Sequence, residues 1–214
     1  MGIDQNIFLY WHDDVVPASV QRVSENWTVT ASDWSVELYS RGRAIEFLQQ
    51  QFGADTSAAF ETCRIPAMQA DVFRVLVVLA LGGLYSDLTY EPRSAPGFVS
   101  QKHELTGVKS WQGQFTNSVF YGQKKCPTLG KVAEEILDGV RGKNSNKIWS
   151  LTGPGAWFRA IAPHNNPEVQ LLSLPEMMGS WLLQSQYSSS TRGTSDHWSE
   201  RQKCEDIFFS QSDR

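Results

Sequence analysis

Apolar positions along this chain recur with two periods. Asn6–Trp11 (NIFLYW) is an unbroken apolar and aromatic run that predicts a buried first strand. From Pro17, a residue suited to a helix start, Val20, Val23 and Trp27 recur at three- and four-residue spacing and share one helical face. Trp34–Ser40 (WSVELYS) alternates as a strand does. Arg43–Phe52 (RAIEFLQQQF) returns to helical spacing, with Ile45, Phe47 and Leu48 inward, and stops at Gly53. After Ile65-Pro66, Ala67–Leu81 predicts a stronger helix ended by Gly82-Gly83, and Leu84–Thr89 predicts a strand. Ser118–Gly122 predicts a further short strand, residues 127–140 a helix and Arg141–Asn146 a polar loop. Lys147–Leu151 and Val169–Leu174 are strand candidates on either side of a short helix at Pro154–Ile161.

Strands alternating with helices through the first half imply an α/β protein with a mostly parallel, doubly wound sheet flanked by helices. The second half is less regular. The tail from Tyr187 is rich in Ser, Thr, Arg and Asp and reads as a mobile loop or lid. Without internal repeats or a linker, residues 1–214 read as one domain. The length allows a substantial core and leaves little room for two full domains.

Composition narrows the function. With 41% hydrophobic and 20% charged residues the chain is ordinary for a soluble globular protein. A net charge of −4 without a block of Lys or Arg argues against nucleic acid as partner. Cys63, Cys126 and Cys204 are odd in number and scattered, which argues against disulfides and zinc and for a reducing compartment. None has a neighbouring His or acid that would mark a nucleophile. The N-terminus lacks the basic start and long apolar run of a signal peptide, and Val75–Leu81 is too short to span a bilayer. A cytoplasmic location is expected, with peripheral association at the inner face of the membrane left open. Asn26-Trp27-Thr28 fits a glycosylation acceptor by letter only. Most of the eight tryptophans are expected in the core, although sugar and nucleotide sites also use Trp faces.

The chemistry concentrates in residues 70–92, ADVFRVLVVLALGGLYSDLTYEP. Asp71 and Arg74 lie three apart on one helix face, where a surface ion pair would contribute only a few tenths of a kcal/mol. Decoration of a helix start is the plain reading. Asp87 follows Leu84-Tyr85-Ser86 at the C-terminal end of a central strand, where open α/β sheets bind ligands. A carboxylate there, beside glycines that admit close backbone approach, is a site candidate.

Ala70, Asp71, Arg74, Gly82, Gly83, Tyr85 and Asp87 in this order resemble the sugar-binding region of DXD-containing glycosyltransferases of family 32. The clostridial glucosylating toxins are distant relatives. Ile7–Trp11 resembles that family's first strand, Pro17–Trp27 its next helix, Thr152-Gly153-Pro154 its downstream turn, and Asp196-His197-Trp198 its phosphate-closing segment. The resemblance implies a GT-A-like nucleotide-binding sandwich. It implies a retaining transfer from a UDP- or GDP-sugar donor to a glycan or other hydroxyl acceptor, as in polysaccharide biosynthesis. By that analogy Asp71, Arg74 and Asp87 are catalytic, Asp71 accepting from sugar hydroxyls. Trp11, Tyr85, Asp87, Thr89 and Asn117 hold the donor, with Trp11 near the base.

Where the family places a second acid, this chain has Thr89. A carboxylate there would ligate Mn²⁺ or Mg²⁺ directly; a neutral hydroxyl binds more weakly. Three readings stay open. A weakened metal site could use Asp87, Thr89 and His197, with Glu91 as a further ligand. Arg74, Arg192 or Arg201 could neutralise the diphosphate without metal. Or catalysis is lost and nucleotide-sugar or glycan binding kept. A transferase with altered metal handling comes first, because Asp71, Arg74 and Asp87 are all present. His12-Asp13-Asp14 is read as a solvated loop near the donor, and His103 and His164 receive no role.

Overall fold

The computed structural model describes residues 3–110, 115–161, 167–185 and 197–210. Strand β1 (Asn6–Tyr10), helix α1 (Ala18–Thr30), strand β2 (Ser35–Tyr39) and helix α2 (Arg41–Phe52) follow the predicted order. Helices α3 (Ala54–Thr62) and α4 (Pro66–Leu81) lead into β3 (Gly83–Ser86), β4 (Tyr90–Pro92), β5 (Leu105–Lys109) and β6 (Phe115–Gly122). Then come α5 (Pro127–Gly142), α6 (Ile148–Leu151), α7 (Pro154–Ile161), β7 (Val169–Ser173), α8 (Leu174–Ser180), β8 (Leu182–Gln184) and α9 (Trp198–Cys204).

Six strands form one sheet in the order β2-β1-β3-β6-β5-β7. All neighbours are parallel except around β6, which runs antiparallel to both β3 and β5. The mostly parallel α/β architecture expected from the sequence is therefore present, with one strand reversed. Alternation along the central strands feeds two apolar layers. Phe8, Tyr10, Tyr85 and Phe120 join α2, α3, α4, α5 and α7 on one face, while Ile7, Leu9, Leu84, Val119 and Tyr121 meet Val20, Val23 and Trp27 of α1 on the other. Strands β4 and β8 pair separately as a small antiparallel ribbon.

Helix α4 is the central support. Its run from Asp71 to Val78 is buried all round, wider than the single face of Val72, Val75, Leu76 and Leu79 that periodicity marked. Pro66 at its first turn fits the helix start, where no N–H partner is needed. Gly82 and Gly83 then turn the chain into β3 at φ +70° and +132°, conformations that side chains rarely adopt. A Cβ on Gly83 would lie 2.5 Å from the Asn6 carbonyl oxygen, so glycine sets how closely β3 approaches β1.

Two local expectations are corrected. The strand predicted at Leu84–Thr89 ends at Ser86, and Asp87-Leu88-Thr89 forms the turn into β4. Lys147–Leu151 is not a strand but contributes a helical turn, α6, because Ile148 and Leu151 three residues apart both enter the core. Among the described residues, no helix is long and apolar enough to cross a membrane.

Candidate active site

The cleft opens at the C-terminal ends of β1 and β3, where β6 comes alongside them. It is about 690 Å³ in volume and is lined by Trp11, Asp71, Arg74, Asp87, Thr89 and Asn117, with Trp149 and Trp198 on its further walls. This is the crevice that open α/β sheets offer to ligands.

Its floor is a closed polar network. Asp71 and Arg74 are only 6% and 4% exposed, so they do not decorate a surface. Asp71 Oδ1 accepts from Asn117 Nδ2 at 2.8 Å and meets Arg74 Nη2 at 3.3 Å, while Oδ2 accepts from Thr152 Oγ1 at 2.9 Å. Arg74 folds back so that Nε donates to the Ala70 carbonyl, Nη1 to the Asn117 carbonyl at 2.7 Å, and Nη2 to Asp87 Oδ1 at 3.0 Å. Its guanidinium lies 4.9 Å from the Tyr85 ring centre, and the Tyr85 hydroxyl donates to the same Asp87 oxygen at 3.1 Å. The Asp87 backbone N–H donates to the Ser118 carbonyl, tying the turn after β3 to β6. Asn117 stands inside β6, not ahead of it.

Burial sets the electrostatics. It pushes the Asp71 carboxyl up to about 6, against the pull of Arg74 and the hydrogen bonds from Thr152 and Asn117. Burial also works against the Arg74 charge, but Asp87, Tyr85 and Asp71 more than offset it and the guanidinium stays charged. Burial holds the Tyr85 phenol far above its ordinary value, so it remains a donor to Asp87. One guanidinium faces two carboxylates, so the Arg74 charge is already engaged by Asp71 and Asp87.

Other expected residues divide. Thr89 and His197 line the cleft with Asp87. Glu91 does not line it: its Oε2 accepts from Asn26 Nδ2 of α1 at 2.7 Å. Asp14 caps α2, accepting from Ser40 Oγ and the Gly42 N–H, whereas His12 lines the cleft. Cys63 and Cys126 are buried, and burial raises both thiols, Cys126 to about 11; neither is placed as a nucleophile. Arg192, Asp196, His164 and the segment from Tyr187 to residue 196 lie outside the described residues.

Among the described residues, the donor set does not fit a Mn²⁺ or Mg²⁺ ion held by protein groups alone. Such ions seek several hard oxygen ligands, carboxylates first. Here Asp87 Oδ1 is shared by Arg74 and Tyr85, Thr89 is neutral, and His197 offers a ring nitrogen where a hard oxygen is sought. Among the described residues no three His, Cys, Asp or Glu side chains cluster as ligands.

Sequence reasoning missed Thr152 as the partner of Asp71 and Trp149 as a member of the cleft, whereas Trp198 and Arg201, both expected near the donor phosphates, do line it. The Thr152-Gly153-Pro154 turn was visible in the sequence; what it faces was not.

No protein-family model matches the sequence. The chain is 22% identical over 191 residues to the initiation-specific alpha-1,6-mannosyltransferase of Schizosaccharomyces pombe, a match covering 74% of this chain and 48% of the relative. It thus spans about half the length of that curated relative. Among solved structures it is similar to PaToxG Glycosyltransferase at a TM-score of 0.63 and 16% identity, over 76% of this chain and 69% of that one. The catalytic domain of alpha-toxin from Clostridium novyi superposes at a TM-score of 0.48 and 9% identity, over 74% of this chain and 63% of that one. The chain has the α/β GT-A fold and is a distant homologue of glycosyltransferases.

Proposed function

We propose that the protein is a glycosyltransferase that moves a sugar from a UDP- or GDP-sugar to a hydroxyl of a glycan acceptor. The observation that carries the reading is the Asp71–Arg74–Asp87 network on the cleft floor, bound to Tyr85, Asn117 and Thr152. An ionised carboxylate accepts about four hydrogen bonds. Asn117, Thr152 and Arg74 occupy three positions on Asp71, which leaves room for one donor-sugar hydroxyl. Arg74 fixes both carboxylates, and Trp11 borders the nucleotide base at the end of β1.

In the transfer, the acceptor oxygen bonds to the anomeric carbon as the bond from that carbon to phosphate breaks. The bonding pair leaves on the nucleoside diphosphate, whose departing oxygen takes the acceptor hydroxyl proton. Asp71 is engaged at both oxygens and Asp87 is shared by Arg74 and Tyr85, so neither is presented as a covalent nucleophile. Retained configuration is taken from the family resemblance, and with no covalent nucleophile presented it implies a same-face substitution. Arg201, which lines the cleft and is gripped by Glu205 at 2.9 Å, faces the diphosphate in place of a strongly held metal.

Released nucleoside diphosphate tests this. The full chain, given UDP- and GDP-sugars with Mn²⁺ or with EDTA, is expected to turn over one donor in both conditions. Thr89→Asp is expected to add a Mn²⁺-dependent increment. Turnover abolished by EDTA would overturn the metal-independent part. No turnover by either protein, with nucleotide still bound, would favour the binding-only reading.

A further inference from the structure

The cleft wall also includes α6 and the start of α7. The residues contributed there are Ile148, Trp149, Gly153 and Pro154. On α6, Ile148 and Leu151 are each 2% exposed and turn inward, which leaves Trp149 on the outer side of the same helical turn, 48% exposed. Its ring is nonetheless fixed. It rests on Gly155, where an added Cβ would meet Trp149 Cζ3 at 2.8 Å and Cε3 at 2.9 Å. One side of the indole is closed by α7, and the ring lines the cleft.

The two cleft tryptophans on α6 and after β1 are used differently. The Trp11 indole N–H donates to the Val15 carbonyl at 3.0 Å and closes its own loop. Among the described residues the Trp149 indole N–H has no hydrogen bond, although its carbon skeleton is backed by protein. A rigid, half-exposed apolar ring with an unused donor matches the less polar face of a pyranose, whose hydroxyls and ring oxygen lie at the rim.

Its position fixes which sugar. Trp149 lies three residues before Thr152, and the Thr152 N–H donates to the Ile148 carbonyl at 3.0 Å, so ring and hydroxyl belong to one rigid turn. The Thr152 hydroxyl reaches Asp71, the residue assigned above to the donor sugar. A ring stacked on Trp149 therefore sits next to the sugar being transferred.

We propose that Trp149 is the platform for the glycan acceptor, stacking on one of its sugar rings and donating from Nε1 to an oxygen of that ring. The inference rests on the glycosyltransferase reading for its meaning, but its first test does not. The full chain is labelled with 5-fluorotryptophan, and the Trp149 fluorine resonance is assigned with Trp149→Phe. Mannotriose, maltotriose and chitotriose are then titrated in without donor. At least one is expected to shift the Trp149 resonance; if all three leave it unmoved, the proposal fails. In turnover, Trp149→Ala is expected to lower the ratio of transfer to donor hydrolysis about tenfold, the size of one lost aromatic contact. Phe158→Ala, which removes an exposed ring of α7 outside the cleft lining, should keep the wild-type ratio. An unchanged ratio in Trp149→Ala overturns the acceptor role while the transferase reading stands. If the wild-type chain consumes no donor at all, the transferase reading falls, and the fluorine shift alone decides whether Trp149 binds glycan.

Discussion

Asp71 concentrates the chemistry of this protein in one side chain. Its carboxyl is raised from 3.8 to about 6 by burial, against Arg74 and two hydrogen bonds. The folded state therefore holds the Asp71 proton more tightly than the unfolded chain does. Its ionisation then costs stability, a cost absent below about pH 4 and complete above about pH 6. Asp71→Asn removes that cost, so its stability relative to wild type should improve between pH 4 and pH 7, as measured by urea unfolding at both. An offset that stays constant with pH would contradict the burial argument. The same substitution takes away an acceptor for the sugar and should lower donor turnover by about two orders of magnitude or more. In the wild type, kcat/KM is expected to rise as pH passes through about 6, because the ionised form accepts. Little of this was legible locally: an i,i+3 Asp–Arg pair reads the same on an exposed face and in a core. Only the arrival of Asn117 and Thr152 from 46 and 81 residues away makes it a buried network.

At the scale of elements, the junction of α4 and β3 decides where the network stands. Gly83 combines a φ of +132° with a Cβ position 2.5 Å from the Asn6 carbonyl oxygen, which is backbone and cannot swing aside. Gly83→Ala should cost about 2–4 kcal/mol, from strain in the turn together with overpacking of β3 against β1. A urea midpoint shift at unchanged slope would measure it, and a neutral result would remove the close approach as the reason for glycine. The double glycine was legible as a helix stop. The boundary of β3 was not: the Asp87 N–H still bonds the Ser118 carbonyl of the antiparallel β6, and the turn is closed by the Tyr90 N–H on the Asp87 carbonyl. Helix α3 lacked a strong pattern: its buried residues Thr56, Ser57, Ala59 and Phe60 are half polar or small. In α6, four residues were too few for a period to separate helix from strand.

Across the whole molecule, the chain after α9 returns to the start of the α4 wall. Arg64 N–H donates to the Ile207 carbonyl and Phe209 N–H to the Thr62 carbonyl, both at 2.9 Å, and Cys63 bridges Phe208. Ile207 is 4% exposed within the larger core, and Gln202 accepts from the Ile148 N–H. These contacts set His197, Trp198 and Arg201 over the cleft. Ile207→Ala should cost about 2–4 kcal/mol as a core truncation. It should also weaken nucleotide binding, read by calorimetry, because the wall carrying Arg201 loses its anchor. Stability lost with nucleotide affinity unchanged would separate this segment from the site. The polar tail read as a loop or lid thus contains, at 198–210, a packed strap.

The sequence by itself determined the alternation of strands and helices, the burial of β1 and α4, the glycine stop and the acid–base residues around it. Those features are local, because spacing along one element reports which face is apolar. Tertiary structure alone decided what lies across from that face. It reversed β6, drew Asn117 and Thr152 onto Asp71, balanced Arg74 between two carboxylates, and turned Glu91 toward α1. It also left Trp149 open to the cleft while Trp27 and Trp157 were closed into the core. Burial and partner identity depend on contacts between distant segments, and no period within a segment encodes them.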